Sequence, residues 1–462
     1  MKEDAAASAH QRVTAMGQEK ISKLLFRFSI PSIIAVEAGA AYELFDALWT
    51  GRLGAEALAA LSVAGPLMAI YRAIGSGIGV GSASLIARHL GAKRKDEADR
   101  AACGSISLFF IVSGLVALVC VINLKFLLRL FGANEAVMPY AFSYMFIETL
   151  AMPVDFFLII AAELVRTQGS PAVASAGSII ASAADIVWSP ILVFGVGPFP
   201  ALGIAGAALG TLIGRVIGLA FLIPYLAFKS IYQFKRAYFI PKYKIVRDIY
   251  SIGASNTLRM GAVSIAQILA CRTAAAFGTI PLAVLGILFR VGMINFGFCV
   301  GVSQGTLPLV GYNFGARKNR RVRELVIKAG LISFAWGVIW CTAAILFPAQ
   351  ILSVFNSDPD FLAVGSQALR IFALGFLTVP ELTLSSFFQG IGKAVPAIIV
   401  SSSRQLIFLI PSLLIMPYLF GLTGLWSAYV VAGALAFTLG SAWTAFELRK
   451  LKFLEKQEYT HT

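Results

Sequence analysis

Charge is what this sequence is short of: Asp, Glu, Lys and Arg make up 13% of its 462 residues, while hydrophobic residues reach 58%. A globular chain carries about 25% charged residues. Cysteine and histidine are sparse as well. Cys103, Cys120, Cys271, Cys299 and Cys341 all fall inside apolar stretches without metal-ligand spacing, and His10, His89 and His461 are scattered. Neither a disulfide framework nor a metal cluster is indicated. No GxxxxGK[ST] loop is present, which argues against direct ATP energisation, and no nucleophile–base constellation or cofactor motif marks an enzyme. Residues 1–20 are polar and lack an apolar core before a cleavage site, so the first span is expected to direct insertion itself.

What the sequence has instead is apolar length. Segments able to cross a bilayer, about 20 residues each, occur near 24–50, 58–87, 99–122, 139–164, 171–197, 203–229, 247–275, 281–311, 322–347, 361–388, 394–420 and 422–447. An all-α polytopic membrane protein of twelve transmembrane helices is expected. The net charge of +15 sits in short loops, where Lys and Arg act as topology signals rather than as a nucleic-acid surface. One set of alternate loops carries Lys20, Lys23, Arg88 to Arg100, Arg166, Lys229 to Arg247, Arg317 to Arg323, Lys393 and Arg449 to Lys456; the other carries only Arg52, Lys125 and Arg129. This imbalance predicts an inner-membrane protein with both termini in the cytoplasm. The domain plan is a cytoplasmic N-terminal tail (1–20), an N-lobe (21–229), a basic inter-lobe linker (230–246), a C-lobe (247–447) and a cytoplasmic C-terminal tail (448–462).

The two halves repeat. LIARHLGAKRKDEA (Leu85 to Ala98) aligns with LVGYNFGARKNRRV (Leu309 to Val322), and LLRLFGANEAV (Leu127 to Val137) with ILSVFNSDPDF (Ile351 to Phe361), at an offset of about 224 residues. Six spans per copy give both halves the same orientation, around an axis along the membrane normal. Parallel repeats of this kind place a site between lobes and suit rocking-type alternating access.

Acids inside the spans need a reason, because an ionised carboxylate at mid-membrane costs about 2.5 to 3.5 kcal/mol on insertion scales. The first half holds Glu37, Glu43, Asp46, Glu148, Asp155, Glu163 and Asp185; the second holds essentially Glu381. Ser189 lies one turn beyond Asp185 on the same face, Pro190 frees a backbone carbonyl, and Thr211 and Arg215 return to similar depth on the next helix. The alternatives are an ion or proton site and a structural Asp185–Arg215 pair. At 100° per residue Glu148 and Asp155 share a face, Glu43 and Asp46 share another, and Glu37 points away from Asp46. Glu163 is expected to pair with Arg166. The second half is rich in arginine; Arg272 and Arg290 are candidates for cavity charge, whereas Arg370 and Glu381, eleven residues apart, are expected on one face in a structural role. The five glycines Gly203, Gly206, Gly210, Gly214 and Gly218 favour close helix packing.

FDALWTGRLGAEALAALS (Phe45 to Ser62), GVGSASLIARHLGA (Gly79 to Ala92), GVSQGTLPLVGYNFGA (Gly301 to Ala316) and SSFFQGIGKAVPA (Ser385 to Ala397) resemble the multidrug and toxic compound extrusion (MATE) family over all twelve spans, the last two its DNA-damage-inducible-F branch. The resemblance implies two pseudo-symmetric six-helix bundles forming a V-shaped cleft, and a proton- or sodium-coupled antiporter expelling small amphipathic, usually cationic compounds. It places the family's first-helix Asp on Asp46 and its sixth-helix Thr on Thr211. The fifth helix departs from the branch pattern: Asp185-Ile-Val-Trp-Ser189-Pro190 stands where Asn-x-x-x-Asp-Pro is usual. The expected ion-coupling set is therefore Asp46, Asp185, Ser189 and Thr211, binding H+ or Na+ with no other cofactor. Glu43, Asp155, Arg215, Arg272 and Arg290 are accessory or substrate-cavity candidates, and Gly39 and Pro190 are hinges. Two neighbouring carboxylates in a low dielectric cannot both ionise cheaply, so the pair is expected to share a proton or hold a cation. The expected partners are substrate and lipid, around a monomer. Rival readings are an exporter of a specific anionic or zwitterionic metabolite and a lipid-linked-intermediate flippase.

Overall fold

The computed structural model describes residues 2–460; Met1, His461 and Thr462, the last two at the end of the expected C-terminal tail, lie outside the described residues. Where lipid replaces water, backbone groups must be satisfied within the chain, and every long element here is a helix. In chain order these are α1 (Lys2–Ala15), α2 (Ile21–Gly51), α3 (Ala55–Gly91), α4 (Lys95–Leu130), α5 (Met138–Thr167), α6 (Pro171–Phe194), α7 (Ile204–Lys229), α8 (Tyr243–Ala276), α9 (Thr279–Gly315), α10 (Asn319–Leu346), α11 (Pro348–Ser353), α12 (Pro359–Leu374), α13 (Glu381–Gly390), α14 (Ala394–Ser402) and α15 (Ile410–Thr460). Helices α2 to α7 form one six-span bundle. In the other, a 3₁₀ stretch at Gly375–Thr378 interrupts the tenth span and a π-helical stretch at Ser403–Leu409 the eleventh. Gly421 (φ 57°) breaks α15 into the end of the eleventh span and the twelfth.

The backbone records the repeat independently of side chains. Unusual positive φ values recur at Gly54 and Gly278 (126° and 121°), at Lys93 and Arg317 (58° and 56°), and at Gly203 and Gly421 (58° and 57°). The first two pairs are 224 residues apart, the offset found in the sequence.

The lobes meet through α2 against α9 and through α3 against both α8 and α9. Glycine sets how closely. A Cβ added at Gly91 would lie 1.9 Å from the Tyr312 carbonyl oxygen, and one at Gly315 would lie 2.1 Å from that of Arg88. These are one contact seen twice, since both residues of each pair differ by 224, so the seam is self-complementary in the manner of a two-fold interface. Gly77 and Gly253, Gly81 and Ile249, Gly301 and Ile33, and Gly305 and Phe28 continue it. Farther from the termini on these four helices, a Cβ at Gly39, Gly65, Gly261 or Gly286 would meet no atom within 4 Å. The bundles are closed together on the face that carries the termini and part towards the other, which makes the V.

Two segments of the domain plan gain contacts and one expectation changes. In the N-terminal tail, α1 is docked on α7, with Ala9 and Val13 buried. The linker is pinned to the N-lobe, where Asp99 accepts from the Gln233 amide (3.2 Å), Tyr238 donates to Asp96, and Arg100 stacks on the Tyr238 ring. Arg370 and Glu381 do not share a face: Arg370 is exposed and Glu381 is 2% exposed, because the 3₁₀ stretch between them breaks the helical phase that a wheel assumes.

Candidate functional site

The N-lobe site is made by the hairpin of α6 and α7. Gly195 ends α6 in a left-handed conformation (φ 72°), which a residue with a Cβ adopts only at a cost, and the chain returns as α7. The returning helix lies against α6 along its glycines: a Cβ at Gly206 would collide with Leu192, at Gly210 with Ser189, at Gly214 with the Ala181 carbonyl, and at Gly218 with the Gly177 carbonyl. This close approach sets Thr211 and Arg215, which interleave with those glycines, beside the acid on α6.

Asp185 is 4% exposed and is held by hydroxyls rather than by a cation. Ser189 donates to its Oδ1 at 2.6 Å. The Thr211 hydroxyl lies 3.3 Å from the same oxygen and 3.1 Å from the Ala207 carbonyl, so its single proton serves one or the other. Asp46, from α2, is 9% exposed, and its Oδ1 is buried without a hydrogen-bond partner. It lies within electrostatic range of Asp185, Glu148, Arg215 and Glu43. Among the described residues no Lys or Arg makes an ion pair with either Asp46 or Asp185.

Arg215 is occupied elsewhere. Its Nη1 donates to Glu148 Oε2 at 2.9 Å, and its Nε lies 3.0 Å from Asp155 Oδ1. The Asp185–Arg215 alternative is thereby replaced by an Arg215 clamp across two acids of α5. The common face inferred for Glu148 and Asp155 is the face that meets Arg215. Glu148 Oε1 is also buried without a partner. With all four carboxylates ionised, Asp46, Glu148, Asp155 and Asp185 set four negative charges against the one positive charge of Arg215. An excess of three negative charges in a membrane bundle is costly unless protons, a cation or water offset it. The donor set is entirely oxygen, carboxylate and hydroxyl, which suits a hard cation or a proton.

Of the remaining candidates, Glu43 borders this cluster and the others lie apart from it. Glu43 forms an ion pair with Arg72 of α3, both side chains about half exposed. Arg72 was not singled out from sequence; an arginine inside the second span was the available signal. Glu163 pairs with Arg166. Arg272 and Arg290 are exposed on the C-lobe and have no acidic partner within 4 Å among the described residues. Pro190 lies within α6 and Gly39 within α2; α2 also contains Pro31, a further backbone weak point.

The MatE family model matches residues 31–191 and again 257–414, once per lobe. The chain is 28% identical over 436 residues to the multidrug export protein MepA of Staphylococcus haemolyticus, covering 91% of this chain and 92% of that one. Among solved structures, "Crystal structure of MATE in the bent conformation" is similar with a TM-score of 0.89 and 26% identity, covering 96% of this chain and 98% of that one. "Outward-facing conformation of a multidrug resistance MATE family transporter of the MOP superfamily" has a TM-score of 0.89 and 26% identity, covering 95% and 98%. With the doubled family match falling on the two lobes and the fold shared over nearly the whole chain, this protein belongs to the multidrug and toxic compound extrusion family of membrane transporters.

Proposed function

We propose that this protein is an antiporter that exports small amphipathic, cationic organic compounds against an inward flow of H+ or Na+, with both termini in the cytoplasm. One observation carries the reading: among the described residues Asp46 and Asp185 are both buried without a cation partner, while Arg215 is committed to Glu148 and Asp155. Binding of a proton or Na+ neutralises the pocket, and the two lobes then favour a different arrangement, with α2 bending near Pro31 or Gly39 and α6 near Pro190. An ion shifts that equilibrium only through different affinities for the two arrangements, so ion and substrate must compete or alternate. The cleft opens away from the termini, which is the substrate-releasing arrangement of an exporter. The relative MepA is a multidrug export protein, which is consistent with this substrate class.

The test is dye efflux from proteoliposomes with pH and Na+ gradients imposed independently. Wild-type protein is expected to respond to one gradient, and Asp46→Asn and Asp185→Asn to lose that response. Gradient-driven efflux at wild-type rate in both variants would sink the proposal. The exposed, unpaired Arg272 and Arg290 favour an anionic or zwitterionic substrate as the second reading. Loss of transport in Arg272→Gln with retention in Asp46→Asn would select it.

A further inference from the structure

The segment before α2 takes no part in the bundles or in the acidic pocket, yet it is tied to both lobes at the closed face. Its helix sits on the N-lobe: Arg12 donates to the Lys229 carbonyl (3.2 Å) and stacks on the Tyr225 ring, and a Cβ at Gly169 would lie 2.8 Å from the Arg12 carbonyl oxygen. Residues 16–19 then turn into α2, which is again N-lobe. This turn, however, is gripped by the C-lobe. Asn313, 0% exposed at the end of α9, donates to the Met16 carbonyl (3.0 Å); Lys318 donates to the Gly17 carbonyl (2.8 Å); and Arg321 donates to the Glu19 carbonyl (2.6 Å). Arg321 Nε also fixes Asn313 through its Oδ1 at 3.0 Å. The ring of Tyr312 packs where Gly17 lacks a side chain, with only 2.8 Å to a Cβ placed there.

Three side chains of one lobe thus hold three consecutive-turn carbonyls of the other, and two of the donors are cationic, the stronger kind. The turn is flanked on both sides by N-lobe helices, so it moves with the N-lobe, and the cradle moves with the C-lobe. Their separation on this face strips the carbonyls of their donors. We propose that residues 16–19 form a clasp whose docking in the Asn313–Lys318–Arg321 cradle holds the terminal face shut and must be released whenever that face opens. The proposal rests on the alternating-access reading but not on which ion drives it.

The test uses the full chain in nanodiscs, with the five native cysteines replaced and a reporter at Ile249→Cys. Ile249 is 0% exposed and its carbonyl lies against Gly81 in the seam, so a water-soluble maleimide reaches it only when the terminal face parts. Arg321→Ala is expected to raise the labelling rate about fivefold or more, and Lys318→Ala, which removes only the bond to Gly17, to raise it less. Arg323→Ala removes the same charge two residues away, where the contact is Glu455 at 3.9 Å, and is expected to leave the rate unchanged. Thermal melting of each variant separates release of the clasp from loss of the fold, and Lys318→Ala carries the test if Arg321→Ala does not fold. Labelling that occurs but is indifferent to Arg321 and Lys318, or that rises equally in Arg323→Ala, overturns the clasp alone. A reporter that never labels in any background overturns both the clasp and alternating access.

Discussion

The two lobes share a backbone and disagree about charge. Positive-φ residues recur at a constant offset and the seam contacts repeat across the axis, yet the buried ionisable groups do not follow. The N-lobe interior gathers Asp46, Glu148, Asp155 and Asp185 around Arg215, which pairs with Glu148 and Asp155. The C-lobe interior has Glu381, 2% exposed, with Arg404 and Arg259 as its charged neighbours, and Arg259 bonds Asn256 at 2.7 Å. Asn295, wholly buried, has both amide atoms unpartnered. What duplication kept is the geometry that lets helices approach. What diverged is the buried charge, and on the proposed function the ion pocket belongs to one half while the other serves as its moving counterpart.

The sharpest way to break this contrast is to neutralise one acid in each lobe. Asp185→Asn is expected to lower gradient-driven efflux by about tenfold or more, the equivalent of about 1.4 kcal/mol or more in the rate-limiting step. Glu381→Gln is expected to cost at most about threefold. Equal losses in the same proteoliposome assay would mean that both lobes carry coupling. Arg215→Met addresses the clamp: removing one partner of a buried pair costs about 3 to 5 kcal/mol, read as a lowered melting temperature in detergent. Adding Glu148→Gln should recover part of that loss, and a Glu148→Gln that gives no recovery would show that Arg215 packs rather than pairs.

A smaller effect tests the shared scaffold. Gly81→Ala puts a Cβ 2.1 Å from the Ile249 carbonyl oxygen, where only backbone movement makes room. It is expected to loosen the seam by about 1 to 3 kcal/mol, seen as faster labelling of Ile249→Cys. Gly261→Ala, with no atom within 4 Å of its Cβ, should leave labelling alone and gain up to about 1 kcal/mol from helix propensity. The smallest expected change is in the ligands. Ser189→Ala removes the 2.6 Å donor to Asp185 and should change apparent ion affinity by roughly fivefold, about 1 kcal/mol, in the weakening direction where the ion is Na+, which loses an oxygen ligand. Thr211→Val should do less, since that hydroxyl also has the Ala207 carbonyl to serve.

Much of this was legible in the chain. Apolar length gives the spans, and the division between 420 and 422 falls on Gly421, the break inside α15. The repeat offset is written in loops whose backbone conformation is duplicated. Asp185, Ser189 and Thr211 were predictable as neighbours because two helices joined by a short corner keep equal depths on both sides. The partner of Arg215 was not, because a wheel gives the face of α5 but not the helix it meets. The Arg72–Glu43 pair was missed for the same reason. Arg370 and Glu381 were misjudged because periodicity holds only while the helix is continuous, and the 3₁₀ stretch at Gly375–Thr378 resets it. The docking of α1 was hidden because backbone carbonyls, which leave no mark in composition, receive the bonds.

The pinned linker has a mechanical consequence. With Gln233 and Tyr238 fastened to α4 and α8 beginning at Tyr243, only Phe239 to Lys242 remain as leash. Four residues span at most about 14 Å fully extended, and Pro241 already rests beside Gly104. That corner is therefore the spine of a book. In the proposed alternating-access cycle its covers spread widely only at the fore-edge, across the pseudo-two-fold axis, where the chain's first turn meets Arg321.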